Sequence, residues 1–320
     1  MRKYLINFFD EFGYDKNDAE QLLSAYDTIM ENAEASVIWN ECLSSYEKNE
    51  KMNFEKDILG GQTAAIAEKT GLHIYTVELL IFMAMTRHLR ELYRARGLSE
   101  EIYYDSVLDL KWKLEECKLV KGICGSFVAA WFGGFFDLTR FALGRLQFEL
   151  IPFEHEYCKD DVVLTPESTV INVHIPRTGT PMGKEACERS YRMAADFFKD
   201  RVGKTAPFVC HSWLLFPEHF NMLSPTSNIY RFISEYDIVK SGVNSGYDLW
   251  RLFDTDERDP DKLPADSSLR RSYIAYLKNG GKPGWGFGVK ILRGQAPLKT
   301  PPSSVCEKNT KKRREVFICV

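Results

Sequence analysis

The sequence predicts a mixed α/β chain, α+β in the order of its parts: a helical N-terminal region, then a mixed β-sheet flanked by helices. Three observations carry this. Apolar residues recur at helical spacing through residues 1–122. Residues 139–153 alternate with period two. The stretch from Ser168 to Leu215 reads strand, Gly-rich loop, helix, strand.

In the first region, Asp18 is expected to cap a helix running to about Asn32, with Leu22, Leu23, Tyr26, Ile29 and Met30 at helical spacing. A second helix covers Ala33 to Tyr46 and a third Gln62 to Lys69. The longest runs from Tyr75 to Arg96 and is stopped by Gly97. Ser99 caps a further helix through Val107, Leu110 and Leu114. No chemistry is expected here, and His73 and His88 read as surface or interface residues. From Gly125 the pattern predicts strands, beginning with the aromatic run Phe127 to Asp137. In Thr139 to Phe153, Leu146, Phe148 and Leu150 face one way and Arg145, Gln147 and Glu149 the other; Gly144 marks a bend or bulge.

Val162 to Leu164 is a short strand. Thr169 to Pro176 is β-branched and leads into the loop Arg177-Thr178-Gly179-Thr180-Pro181. Lys184 to Arg201 is helical, and Phe208 to Leu215 closes a βαβ unit. In such a unit the free N–H groups and dipole of the helix N-terminus suit a phosphate. Arg177 is placed to grip one, Gly179 and Gly183 allow close backbone approach, and Thr178 and Thr180 cap or donate hydroxyls. The same residues also fit an ordinary turn. A helix from about Ser227, a strand from Tyr236 to Val243, a charged loop from Asp254 to Asp266, a helix from Ser267 to Leu277 and a strand from Gly284 to Leu292 complete the chain. The expected division is 1–124 helical, 125–294 sheet-bearing, and 295–320 a basic, disordered tail.

The net charge of −3 over 320 residues gives no global attraction to nucleic acid. It is uneven: six basic against two acidic residues give the tail +4 and leave −7 on the rest. No stretch reaches the apolar length of a membrane span. The first twenty residues carry acids where a signal peptide needs an apolar core, and the ending FICV lacks a prenylation cysteine. Eight cysteines without CxxC spacing predict a reduced, cytoplasmic protein, and the histidines and cysteines show no metal-ligand spacing.

Four segments carry a more specific resemblance: LGRLQFE at 143–149, HIPRTGTPM at 174–182, CHSWLL at 210–215 and SNIYRF at 227–232. Over most of its length, to about residue 294, the chain resembles a two-domain bacterial family. Its members join a helical N-terminal region to a GNAT-like (N-acyltransferase superfamily) C-terminal region. The resemblance implies transfer of an acyl group from acyl-CoA, acetyl-CoA among them, to an amine or hydroxyl of a small-molecule acceptor, with CoA as cosubstrate and no metal. It implies neither a nucleic-acid nor a membrane partner, and it leaves the oligomeric state open.

The superfamily's pyrophosphate loop is Arg/Gln-x-x-Gly-x-Gly/Ala. Arg177 matches its first position, but the glycines fall at Gly179 and Gly183, and Pro181 removes an amide donor. The resemblance places the pantetheine between the strands at Val170 to Ile175 and Val209 to Leu214, which puts Ser212 among the cofactor-binding residues. His174 is the first candidate base and Glu149 the second; Tyr230 is the candidate acid for the leaving thiolate. The alternatives are a structural histidine at a strand end, a solvated face or an Arg145 pair for Glu149, and a packing tyrosine. Two rival functions remain: a catalytically inactive GNAT-like module that binds a ligand or partner, and a hydrolase using Cys210 or Ser212.

Overall fold

A computed structural model describes residues 1–48, 52–244, 246 and 249–293. The expected tail, 295–320, lies outside the described residues. Eight helices come first: α1 (Arg2–Glu11), α2 (Lys16–Glu31), α3 (Ala33–Lys48), α4 (Phe54–Asp57), α5 (Gln62–Thr70), α6 (Ile74–Ala95), α7 (Glu100–Val107) and α8 (Asp109–Lys121). Residues Val77 to Met85 of α6 are buried all round apart from Glu78, so α6 is the axis on which the others pack. Asp15, rather than Asp18, caps α2, accepting from the Asn17 N–H at 2.9 Å; Asp18 is buried against Lys118. The helix expected to run on from Ser99 breaks at Leu108, so that Asp109 opens a new helix.

The aromatic run after Gly125 is not a strand. It forms a 3-10 turn, Ala129–Phe132, and a short helix α9 (Gly133–Phe136). Phe132 and Phe136 pack on Phe82 of α6 at 5.2 and 4.8 Å, an apolar seat that overrides the strand propensity of the aromatics. Gly125 is required just before it. A Cβ there would meet the Tyr75 backbone at 2.6 Å, where the Ser126 N–H donates to the Tyr75 carbonyl.

The sheet follows: β1 (Arg140–Leu143), β2 (Leu146–Pro152), the small hairpin β3 (Tyr157–Lys159) and β4 (Val162–Leu164), and β5 (Thr169–His174). After α10 (Lys184–Phe197) and α11 (Lys199–Val202) come β6 (Thr205–Ser212) and a 3-10 turn, Trp213–Leu215. The chain continues with α12 (His219–Met222), α13 (Asn228–Ser234), β7 (Asp237–Val243), α14 (Leu249–Phe253), α15 (Ser268–Lys278) and β8 (Gly284–Arg293). The six-stranded order is β1-β2-β5-β6-β8-β7. Every pairing is antiparallel except β5 with β6, the expected βαβ pair. Gly144, at φ +74, turns the β1–β2 hairpin rather than bending one long strand.

One face of the sheet, with Phe141, Phe148, Val173 and Phe208, packs under α10. Tyr191 lies 5.0 Å from Phe208 and Phe197 lies 4.9 Å from Phe141. The opposite face carries Arg140, Gln147, Glu149, Asn172 and His174, and it is covered from the helical half. A single cluster of buried side chains joins the two halves, from Phe82 through Phe132 to Phe148 and Tyr191.

Candidate active site

The strand register builds the centre of this face. Arg140 lies opposite Glu149, and Glu149 opposite Asn172, so these three form one row across β1, β2 and β5. In the next row Gln147 lies opposite His174. His174 Nε2 sits 2.7 Å from Glu149 Oε1, and the Asn172 amide donates to the same oxygen at 3.1 Å. Arg140 donates to Glu149 Oε2 at 2.8 and 3.2 Å. Glu149 thus pairs with Arg140 and His174, not with Arg145. The hairpin turn carries Arg145 out of the strand, and its guanidinium goes elsewhere.

Burial would raise the Glu149 carboxyl, but the hydrogen bond and charge of His174, with Arg140 and Asn172, outweigh it and hold the group down at about 2. Glu149 is therefore ionised, and the shared proton sits on His174 Nε2. Burial, the largest influence, pulls the imidazole below its ordinary value against the raising effect of Glu149. Nδ1 makes no hydrogen bond to any described residue, and the His174 side chain is 21% exposed. A neutral imidazole with one nitrogen anchored on a carboxylate and the other lone pair open is a competent proton acceptor. The two candidate bases are thus parts of one dyad.

The helical half and the turn Ala129–Phe132 that follows it reach this dyad. Trp131 stands edge-on to the His174 ring at 4.7 Å and 83°. Arg140 stacks on the Trp131 ring at 3.7 Å and donates to its carbonyl at 2.7 Å. Trp131 Nε1–H and the Gln147 amide both donate to Asp109, at 3.1 and 2.8 Å. Asp109 is 1% exposed. Neither Trp131 nor Asp109 emerges from the sequence reading. The one local signal is an acid directly after the Val107-Leu108 break.

β5 and β6 pair only at Ile171–Phe208 and Asn172–Val209. Beyond this, Val173 and His174 have no partner on β6, while Cys210, His211 and Ser212 continue on β8 alone. The two strands part at their C-terminal ends, beside His174, as the resemblance implied. The loop after β5 leads to α10, whose N-cap Gly183 supplies no side chain. The first α10 N–H with a backbone partner is that of Cys187, bonded to the Gly183 carbonyl, which leaves the preceding amides for a ligand. Gly179 takes φ +66, and open space surrounds the Cα of both glycines. Thr178 and Thr180 bond one another at 2.7 Å instead of capping α10.

Two arginines meet this loop. Arg177 is paired with Asp254, which also accepts from Arg270 at 2.6 Å. Its expected role as a free phosphate grip is therefore shared with an acidic partner 77 residues on. Arg145 donates to the carbonyls of Pro176 at 2.9 Å and Thr180 at 3.2 Å. It pins both ends of the loop, and among the described residues no carboxylate pairs with it.

Ser212 Oγ accepts from the Leu214 N–H at 3.1 Å and caps the turn after β6. Tyr230 packs on Phe220 at 5.2 Å, and no hydrogen bond joins it to the dyad. Cys210 is buried, which pushes its thiol up to about 12 and removes it as a nucleophile. His211 meets Trp285 edge to face at 4.7 Å. Among the described residues no group of three His, Cys, Asp or Glu is arranged to hold a metal, and no helix is long and apolar enough to cross a membrane.

Comparison with known proteins adds the family. No curated protein sequence matches the chain. Four solved chains share the fold. One is an acyltransferase in complex with decanoyl-CoA and teicoplanin, at TM-score 0.70 and 19% identity, covering 89% of this chain and 87% of that one. A second is a tryptophan-to-alanine mutant acyltransferase with octanoyl-CoA, at 0.72 and 19%, covering 91% and 88%. A third, with decanoyl-CoA, stands at 0.71 and 18%, covering 89% and 86%. Residues 3–138 match the N-acyltransferase N-terminal domain and residues 140–290 the GNAT-like C-terminal domain. The chain belongs to the two-domain family that joins an N-acyltransferase N-terminal domain to a GNAT-like C-terminal domain.

Proposed function

We propose that this protein transfers an acyl group from acyl-CoA to an amine or hydroxyl of a small-molecule acceptor. The observation that carries the reading is the Glu149–His174 dyad at the end of β5, where β5 and β6 part and the loop to α10 begins. The pantetheine would enter between the strands. The α10 amides, Thr178, Thr180 and Arg177, with Gly179 and Gly183 admitting close approach, would hold the pyrophosphate. Ser212 would line the far strand. His174 Nδ1 would take the acceptor's proton, while Glu149 holds Nε2–H and stabilises the imidazolium. We assign Tyr230 as proton donor to the leaving thiolate, because α13 packs against the turn that follows β6.

The solved relatives hold octanoyl- and decanoyl-CoA, so medium-chain thioesters belong beside acetyl-CoA in any assay. We place the protein in the cytoplasm of a bacterium, where CoA is made. The functional boundary is put near residue 124, with 125–294 as the transferase unit. A second reading, a binding module without turnover, is favoured by Asp254 on Arg177 and by Pro181 in the loop. Thioester consumption with a panel of amines decides between them. Steady release of free CoA, lost in His174→Gln, supports the transferase; binding without release supports the module.

A further inference from the structure

We propose that Asp109, contributed by the helical half, is a positioning residue for the acyl-transfer base: through Trp131 and Gln147 it fixes the His174 ring and holds a second negative charge beside it. The inference rests on the acyltransferase reading.

A buried carboxylate is costly unless it is paired or hydrogen-bonded. Asp109 is 1% exposed, and its hydrogen bonds come from two neutral donors, Trp131 and Gln147. The cation on its own helix, Lys113, is committed to Glu116 at 3.0 Å. Its two donors are the residues that flank His174, one standing on the ring at 4.7 Å and the other directly across the ladder. Glu149 anchors Nε2 but leaves the ring free to tilt about that bond, and the Trp131 edge removes this freedom. Trp131 is in turn fixed by Arg140 on its face and Asp109 on its N–H. The charged groups around His174 are Glu149 on β2, Arg140 on β1 and Asp109 on α8, with Lys113 and Glu116 behind Asp109. Burial, the largest influence, and Glu116 push the Asp109 carboxyl up overall, against Lys113, Gln147 and Trp131, which favour its ionised form. Ionised, it raises His174, the direction a base needs.

The test uses the full chain with ¹³C-labelled histidine, the His174 signal being assigned by its loss in His174→Gln. Asp109→Asn keeps the size but retains only one of the two acceptors. It is expected to lower the His174 titration, move the acid limb of kcat/KM to lower pH and cut kcat about tenfold at unchanged KM for acyl-CoA. Trp131→Phe keeps ring and charge but loses the N–H. It is expected to cut kcat with little movement of the titration, and it decides alone, by kcat against KM, if Asp109→Asn does not fold. An unmoved His174 titration in folded Asp109→Asn, or wild-type kcat in Trp131→Phe, overturns the proposal. The titration needs no turnover, so failure of the acyltransferase reading, seen as no transfer by the wild type, is distinguishable from failure of this inference.

Discussion

His174 Nε2 and Glu149 Oε1 meet at 2.7 Å on a diagonal of the β2–β5 ladder, for Glu149 stands directly opposite Asn172 and His174 opposite Gln147. Diagonal neighbours on one sheet face are within reach of long side chains. The contact therefore depends on the register set by the Gly144 turn and the β2–β5 pairing, and it would vanish with a slip of one residue.

Replacing His174 by Gln should lower turnover by about two to four orders of magnitude with CoA affinity nearly intact. Glu149→Gln should cost less, because the imidazole keeps a partner but loses the charge that supports it. Since burial already depresses His174, the wild-type acid limb of kcat/KM is expected below the ordinary histidine range, and in Glu149→Gln it should move lower still. Steady-state profiles between pH 5 and 9 check both directions. Equal activity of His174→Gln and wild type would return His174 to a structural role.

Acid stability reports the same pair. The folded Glu149 carboxyl lies at about 2 against an ordinary 4.5, so its stabilisation is complete above 4.5 and is lost as pH falls through about 2. That shift corresponds to roughly 3 kcal/mol. His174 is depressed too, so its share begins to fall away below the ordinary 6.5. Urea unfolding from pH 7 to 2.5 should show a steeper loss in wild type than in Glu149→Gln. Parallel curves would mean the pair is not coupled in solution.

Asp254 shields the loop. Asp254→Asn tolerates the left-handed φ of +57 at this position and removes the charge facing Arg177 and Arg270. It should tighten CoA binding about three- to tenfold, the equivalent of roughly 1 kcal/mol. Arg177→Ala should weaken binding and flatten its dependence on salt. Calorimetry at two ionic strengths measures both, and unchanged affinity in both variants would remove Arg177 from the phosphate site.

Arg145 holds the loop through two carbonyls, a geometry that one ammonium cannot copy. Arg145→Lys should therefore weaken CoA binding more than it lowers the melting temperature. The reverse order would assign Arg145 to the fold alone.

Much of this was legible in the sequence because periodicity is local. The βαβ unit from Thr169 to Ser212 and the helices of the first region follow from local spacing, while the GNAT-like reading rests on the resemblance of four segments between residues 143 and 232. What escaped depends on long-range contact. Phe132 and Phe136 carry strand propensity, yet their seat on Phe82 makes them helical. An Arg145 pair is one of two alternatives for Glu149 in the sequence, and the Gly144 turn gives that place to Arg140. The Asp254 shield and the Asp109–Trp131 brace join residues that no local pattern connects.

Whether acyl-CoA binds between β5 and β6 is measured most directly by thermal melting and calorimetry with CoA, acetyl-CoA, octanoyl-CoA and decanoyl-CoA. At about one hundred times Kd the ligand should stabilise the fold by roughly 2.7 kcal/mol, a rise of about five degrees or more in Tm. The rise should shrink in Arg177→Ala and persist in His174→Gln. Millimolar CoA and acyl-CoAs that leave the wild-type melt unchanged and release no heat would contradict the acyltransferase reading.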